Sequence, residues 1–88
     1  MGETFIIDGL LFNPASDMLL CNVVDTKTAV TVRIYATERG NFYQIVDDLT
    51  EKDVRRIDRE AAKSYAHAHP AGTVNATYRL VFGDPERG

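Results

Sequence analysis

Two early segments of this chain are apolar on both faces of an extended strand, and that pattern limits the fold more than any other feature. In Thr4 to Phe12, Phe5, Ile7 and Leu11 alternate with Ile6, Leu10 and Phe12; in Met18 to Val24, Leu19, Cys21 and Val23 alternate with Leu20 and Val24. Strands of this composition are normally buried on both sides. A chain of 88 residues makes one small domain, and such a domain buries only about two-thirds of the surface its unfolded chain exposes. The pattern below offers a single helix, which covers one sheet face. Either the sheet curls on itself or a second chain supplies the other cover, because a bare apolar face of that size is an interaction site or an aggregation hazard. The expectation is a homodimer.

Turn chemistry divides the first half into strands. Gly9 suggests a bulge or bend within Thr4 to Phe12. Asn13-Pro14-Ala15-Ser16-Asp17 is a turn cluster, and Asp25-Thr26-Lys27-Thr28 can close a hairpin. Ala29 to Ala36 alternates, with Val30, Val32 and Ile34 opposite Thr31, Arg33 and Tyr35. Glu38-Arg39-Gly40-Asn41 makes the next turn, and Phe42 to Val46 is a short fourth strand.

A helix is expected to start at Thr50. Thr50 can cap it, Asp53 stands where a capping box places an acid, and Leu49 can meet Val54 as a hydrophobic staple. Asp47, Asp48, Glu51 and Asp53 suit the positive end of a helix dipole. The apolar stripe is Val54, Ile57, Ala61, Tyr65 and Ala68, and the helix should run to about His67, before Pro70 and Gly72. Thr73 to Phe82 then alternates as a strand, with Val74, Ala76, Tyr78, Leu80 and Phe82 on one side. The expected class is α+β in the order β-β-β-β-α-β: an antiparallel meander of about four strands, one α-helix packed on one face, and a C-terminal fifth strand. The domain spans 1–82, with 83–88 as a flexible tail.

On that helix Lys52, Arg55, Arg56, Arg59 and Lys63 fall within about 100° of one another. They are five of ten basic residues, so the remaining five bases and thirteen acids leave −8 elsewhere. A division of that size can orient an anionic partner. The plain alternative is a solvated face, partly tied by Glu51–Arg55 and Arg56–Glu60 pairs. Arg33, Tyr35 and Arg79, expected together on the polar sheet face, form a second candidate surface, since Arg and aromatic side chains are enriched at binding hot spots. Its plain alternative is an ordinary polar outer face.

Little else suggests chemistry. His67-Ala68-His69 has no companion ligands for zinc and suits a helix C-terminus. Cys21 is alone, so no internal disulfide forms; in an apolar run it reads as a small hydrophobe rather than a nucleophile served by His67 or His69. No phosphate loop, G-x-S-x-G or H-E-x-x-H is present. No cofactor and no metal are expected. The start of the chain shows no basic n-region and no long apolar run, and with the lone cysteine this points to a cytoplasmic protein with no membrane partner.

The leading expectation is a small non-enzymatic protein-binding module, a regulator or inhibitor of a larger partner that carries an acidic patch. Small motif-free domains that act through their surface include phage-type inhibitors of host defence systems, although no residue singles that class out. A nucleic-acid binder using the basic helix face is the second reading, against which a net charge of −3 weighs. A small enzyme is the third.

Overall fold

The structure, a computed structural model, describes residues 4–83. It is α+β, with a four-stranded antiparallel sheet and two helices. The segment Thr4 to Phe12 is a hairpin rather than one strand: β1 (Phe5–Ile7) pairs with β2 (Leu10–Phe12), Phe5 opposite Phe12. Asp8 and Gly9 make the turn at φ 53° and 76°. Two consecutive positive φ values match the right-handed twist of the flanking strands, and Asp-Gly is a favoured pair for such a turn.

The meander follows. β3 (Met18–Asp25), β4 (Val30–Ala36), β5 (Phe42–Asp47) and β6 (Lys52–Ile57) lie in that order across the sheet. After β6 come α1 (Arg59–Ala68), a single 3-10 turn (Pro70–Gly72) and α2 (Asn75–Phe82). No helix among the described residues is long and apolar enough to cross a membrane.

Both sheet faces are covered, and by this chain itself. On one face Leu20, Cys21, Ile34, Ala36 and Phe42 pack with Ala62 of α1, joined by Tyr65, Tyr78, Val81 and Phe82. On the other, Tyr35, Tyr43 and Ile45 pack with Phe12, joined by Phe5, Ile7 and Leu10 of the hairpin. The two-sided strands therefore do not by themselves require a second chain. A sheet sandwiched between a hairpin and a helix pair satisfies the same pattern.

Two elements differ from expectation. Lys52 to Ile57 is a strand, not the first turns of a helix. Val54 and Ile57 are three residues apart, as on a helix face, yet on β6 they point to opposite sides. Val54 packs into the hairpin-side core and Ile57 into the helix-side core. Burial on both faces thus imitates helical spacing. The second difference is the C-terminal strand: Thr73 bridges Cys21 across the β3 edge, and from Asn75 the chain is helical. Tyr78, Val81 and Phe82 reach the core at i, i+3 and i+4, while Leu80 is 76% exposed. Over eight residues a helical stripe and an alternating pattern overlap enough for either to be read. The tail expected at 83–88 lies, apart from Gly83, outside the described residues.

Helix α1 is capped by Asp58, whose Oδ1 accepts the Ala61 N–H at 2.7 Å. Its buried positions are Ala62 and Ala66, whereas Ala61 and Ala68 face solvent. Thr50 instead sits in the β5–β6 turn, where its N–H and hydroxyl, with the Glu51 N–H, donate to Asp48 Oδ1. Those three bonds hold the Asp48 carboxyl below the usual carboxylate range, the Glu51 and Thr50 N–H groups contributing most. Asp58→Ala is expected to cost about 1 kcal/mol of stability through loss of the cap. Thr50→Ala should stay within about 0.5 kcal/mol, as for an exposed turn residue. Urea midpoints of the two variants check this; equal shifts would place the helix start wrongly.

Candidate functional site

The five basic residues of the stripe are divided by the strand-to-helix junction. Lys52, Arg55 and Arg56 stand on β6, while Arg59 and Lys63 stand on α1. Alternation along β6 turns Lys52 and Arg56 to the hairpin side with Val54, and Arg55 to the helix side with Asp53 and Ile57. The single helix face that would have joined them does not form.

Each group has a local setting. Lys52 lies across from Asp47, with Nζ 3.9 Å from its Oδ2. Arg56 donates from Nη2 to Asn41 Oδ1 at 2.9 Å, and its Nη1 is 3.9 Å from Asp8 Oδ2. It thereby ties β6 to the hairpin turn and to the β4–β5 turn. The Arg55 guanidinium makes no hydrogen bond or ion pair with the described residues. Arg59 donates to the Val81 carbonyl at 3.3 Å and stands 4.8 Å over the Phe82 ring, with Lys63 Nζ 5.8 Å from the same ring. These two cations hold α2 against α1 rather than extending a free face.

What remains as a surface is the outer edge of β6. Among the described strands β6 is hydrogen-bonded to β5, and β1 of the hairpin lies close to it. Lys52, Asp53, Arg55 and Arg56 are all exposed there. Three bases and one acid give this strand +2 in a chain of net −3. Charged side chains on an edge strand also discourage strand-to-strand aggregation, which is the plain account of them.

The second expected surface is not assembled. Tyr35 is buried in the hairpin-side core, stacked on Tyr43 with centroids 5.1 Å apart. Arg33 is half-buried on the same side of β4, between Asn22 of β3 and Ile45 of β5. Arg79 is exposed on α2, across the sheet from both. The alternation that put Arg79 beside Arg33 belonged to a strand that is a helix.

The remaining reactive side chains serve the fold. His67 Nε2 lies 2.6 Å from the Tyr78 hydroxyl, joining α1 to α2. His69 stacks on Tyr65 at 4.3 Å and its Nδ1 meets the Tyr65 carbonyl. Burial pushes the Cys21 thiol above its ordinary range, which disfavours the thiolate, and its Sγ lies 4.0 Å from the His69 carbonyl. Among the described residues no group of three His, Cys, Asp or Glu is placed to hold a metal ion. Outside the sheet, Ile6 and Leu11 pair across the hairpin and face solvent, at 76% and 67% exposure. Two such side chains are ordinary for a protein surface.

Sequence reasoning missed Asp8 and Asn41 as the partners of Arg56. The Asp8-Gly9 pair, read as a hairpin turn, places Asp8 at a hairpin tip and is the signal that could have found it. No family model, no curated protein and no solved structure matches this chain.

Proposed function

We propose that this chain is a small protein-binding module that regulates or inhibits a larger partner through an acidic surface of that partner. The observation that carries the reading is the exposed outermost strand β6, net positive in a chain of net charge −3. Guarding an edge needs charge of either sign. Here the sign is opposite to that of the whole chain, which suits the steering of an acidic partner onto this edge. Arg59 and Lys63 lend positive field nearby while holding the helix pair.

The test is charge reversal. Lys52→Glu/Arg55→Glu/Arg56→Glu should keep its fold by circular dichroism, since exposed charges contribute little individually. A partner recovered from source cells with the wild-type chain and identified by mass spectrometry should bind the variant about 100-fold more weakly, at roughly 1 kcal/mol per reversed charge. An unchanged affinity would reduce the edge charges to guards against aggregation. Binding of the wild type to duplex or single-stranded oligonucleotides that collapses between low and moderate salt would replace the protein partner with a nucleic acid.

A further inference from the structure

We propose that Asp8, at the tip of the first hairpin, is a site of spontaneous isomerisation to isoaspartate, and that the change loosens the hairpin from the sheet. The inference stands on the turn alone and is independent of any partner. An aspartate isomerises when the backbone nitrogen of the next residue reaches its side-chain carbonyl carbon. A side chain on that next residue crowds the approach, and glycine has none. Asp8 is followed by Gly9, every other Asp of the chain is followed by a residue with a side chain, and no Asn is followed by Gly.

The structure adds three conditions that favour the step. The Asp8 side chain is 70% exposed, and its nearest charge is Arg56, with Nη1 3.9 Å from Oδ2. By contrast the carboxylates of Asp17, Asp25, Asp48 and Asp58 each accept a backbone hydrogen bond, which holds them in place. The Gly9 N–H makes no hydrogen bond with the described residues, and a Cβ at Gly9 would meet nothing within 4 Å, so a ring can form there unobstructed. Asp8 also holds a φ of 53°, a region unfavourable to residues with a side chain. Rotation about its Cα–C bond, which brings the nitrogen into reach, costs least at an exposed loop tip.

The step balances with water alone. The Gly9 nitrogen bonds to Asp8 Cγ, and the carboxyl hydroxyl leaves with the amide proton as water. Water then opens the cyclic imide. Attack at Cγ breaks the new bond and restores Asp. Attack at the main-chain carbonyl carbon of Asp8 breaks its bond to Gly9 instead, returns a proton to the nitrogen and leaves the chain running through the side chain. Nothing is oxidised or reduced.

The product carries one more methylene in the backbone of the turn. A two-residue turn is matched to the twist of its strands, so the insertion disturbs the pairing of Ile7 with Leu10. The hairpin forms a sheet of its own, separate from the four strands. Packing of Phe5, Ile7, Leu10 and Phe12 on Tyr35 and Tyr43, with Arg56 at the tip, keeps it in place. Distortion of the turn therefore loosens the cover of that sheet face.

The test keeps the full chain in warm neutral buffer for several weeks and follows it by digestion with Asp-N protease, which cuts before Asp but not before isoaspartate. Cutting before Asp8 should be lost progressively, with an uncut peptide of unchanged mass ending at Ser16, while cutting before Asp17 and Asp25 holds. Asp8→Glu keeps a carboxylate near Arg56 and should gain no signal in an isoaspartate-specific methylation assay. In the isolated isoaspartyl fraction the amides of β1 and β2 should lose protection from hydrogen exchange while those of β4 and β5 keep it. If chain unfolded in urea forms isoaspartate at Asp8 and the folded chain does not, the turn shields the bond and the proposal is overturned. Isoaspartate spread evenly over the other Asp residues, or an isoaspartyl fraction whose hairpin keeps its protection, would overturn it equally.

Discussion

Tyr43→Ala should remove about half of this domain's stability and lower its urea midpoint more than any other variant named here. Tyr43 is fully buried, its ring 4.7 Å from Phe12 and 5.1 Å from Tyr35 by centroid. Its hydroxyl donates to Asp17 Oδ2 at 2.8 Å, and the same oxygen accepts the Asn13 N–H at 3.0 Å. The residue thus joins β5, the hairpin and the Asn13–Asp17 turn in one contact. Truncating a buried aromatic of this size costs about 3–5 kcal/mol, against a total of roughly 5–10 kcal/mol for a small domain. Tyr43→Phe keeps the ring and loses only the bond to Asp17, for about 1–2 kcal/mol.

The same phenol makes stability fall in alkali. Burial first, then the bond to Asp17 and the charge of that carboxylate, push the Tyr43 phenol far above the usual phenol range. In the unfolded chain it titrates near pH ~10. Below that pH both states keep the proton and the stabilisation is intact. Above it the unfolded chain releases a proton that the folded chain retains, so stability drops by about 1.4 kcal/mol per pH unit. Cys21 and Tyr65 are also raised, burial being the first cause for each, and act in the same direction. Urea titrations between about pH 8 and pH 11 should show this slope in the wild type and a shallower one in Tyr43→Phe. A Tyr43→Ala midpoint close to that of the wild type would remove Tyr43 from the core described here.

The middle of the fold is legible in the sequence for a simple reason. Met18 to Val24, Ala29 to Ala36 and Phe42 to Val46 are separated by turns whose residues have mechanisms of their own, and all three are strands within a residue or two of those bounds. The Asp25 side chain accepts the Lys27 N–H, as its place in a turn implies. Legibility fails where one stretch satisfies two periodicities. Val54 and Ile57 are both half-buried because β6 is covered on both sides, and Ala61 and Tyr65 then extend their spacing into a helix that begins only at Arg59. The candidate site inherits that error. A helix would have gathered Lys52, Arg55, Arg56, Arg59 and Lys63 on one face, whereas the strand sends Arg55 away from Lys52 and Arg56. The residue before α1 held the corrective signal: Asp58 is as good an N-cap as Thr50, with Glu60 in the first turn.

Gly72→Ala should release the helix pair from the sheet. A Cβ at this position would run into the Asn22 carbonyl oxygen and stand 3.0 Å from Val23 Cγ2. The glycine is required here by close approach of two backbones, since its φ lies outside the left-handed region. Around it the chain is closely tied. The Gly72 N–H donates to the His69 carbonyl at 3.1 Å and the Val74 N–H to the Leu20 carbonyl at 2.8 Å. The Thr73 hydroxyl lies 2.9 Å from the carbonyls of both Ala66 and His69. Neither the β3 backbone nor this link can yield without breaking such bonds, so the strain is met by moving the link off β3. Tyr78, Val81 and Phe82 follow it out of the helix-side core. The expected cost is about 2–3 kcal/mol, as for overpacking at a site that cannot relax. Gly40→Ala is the control, because a Cβ there meets nothing within 4 Å but must accept φ 82°. It should cost about 1–2 kcal/mol, with no local release. Hydrogen exchange separates the two variants: in Gly72→Ala the Val74 amide should exchange far faster than the amides of β4 and β5, the signature of local opening at one edge. Retained protection at Val74 with an unchanged midpoint would mean that the link between the helices and β3 does not carry the docking of α2.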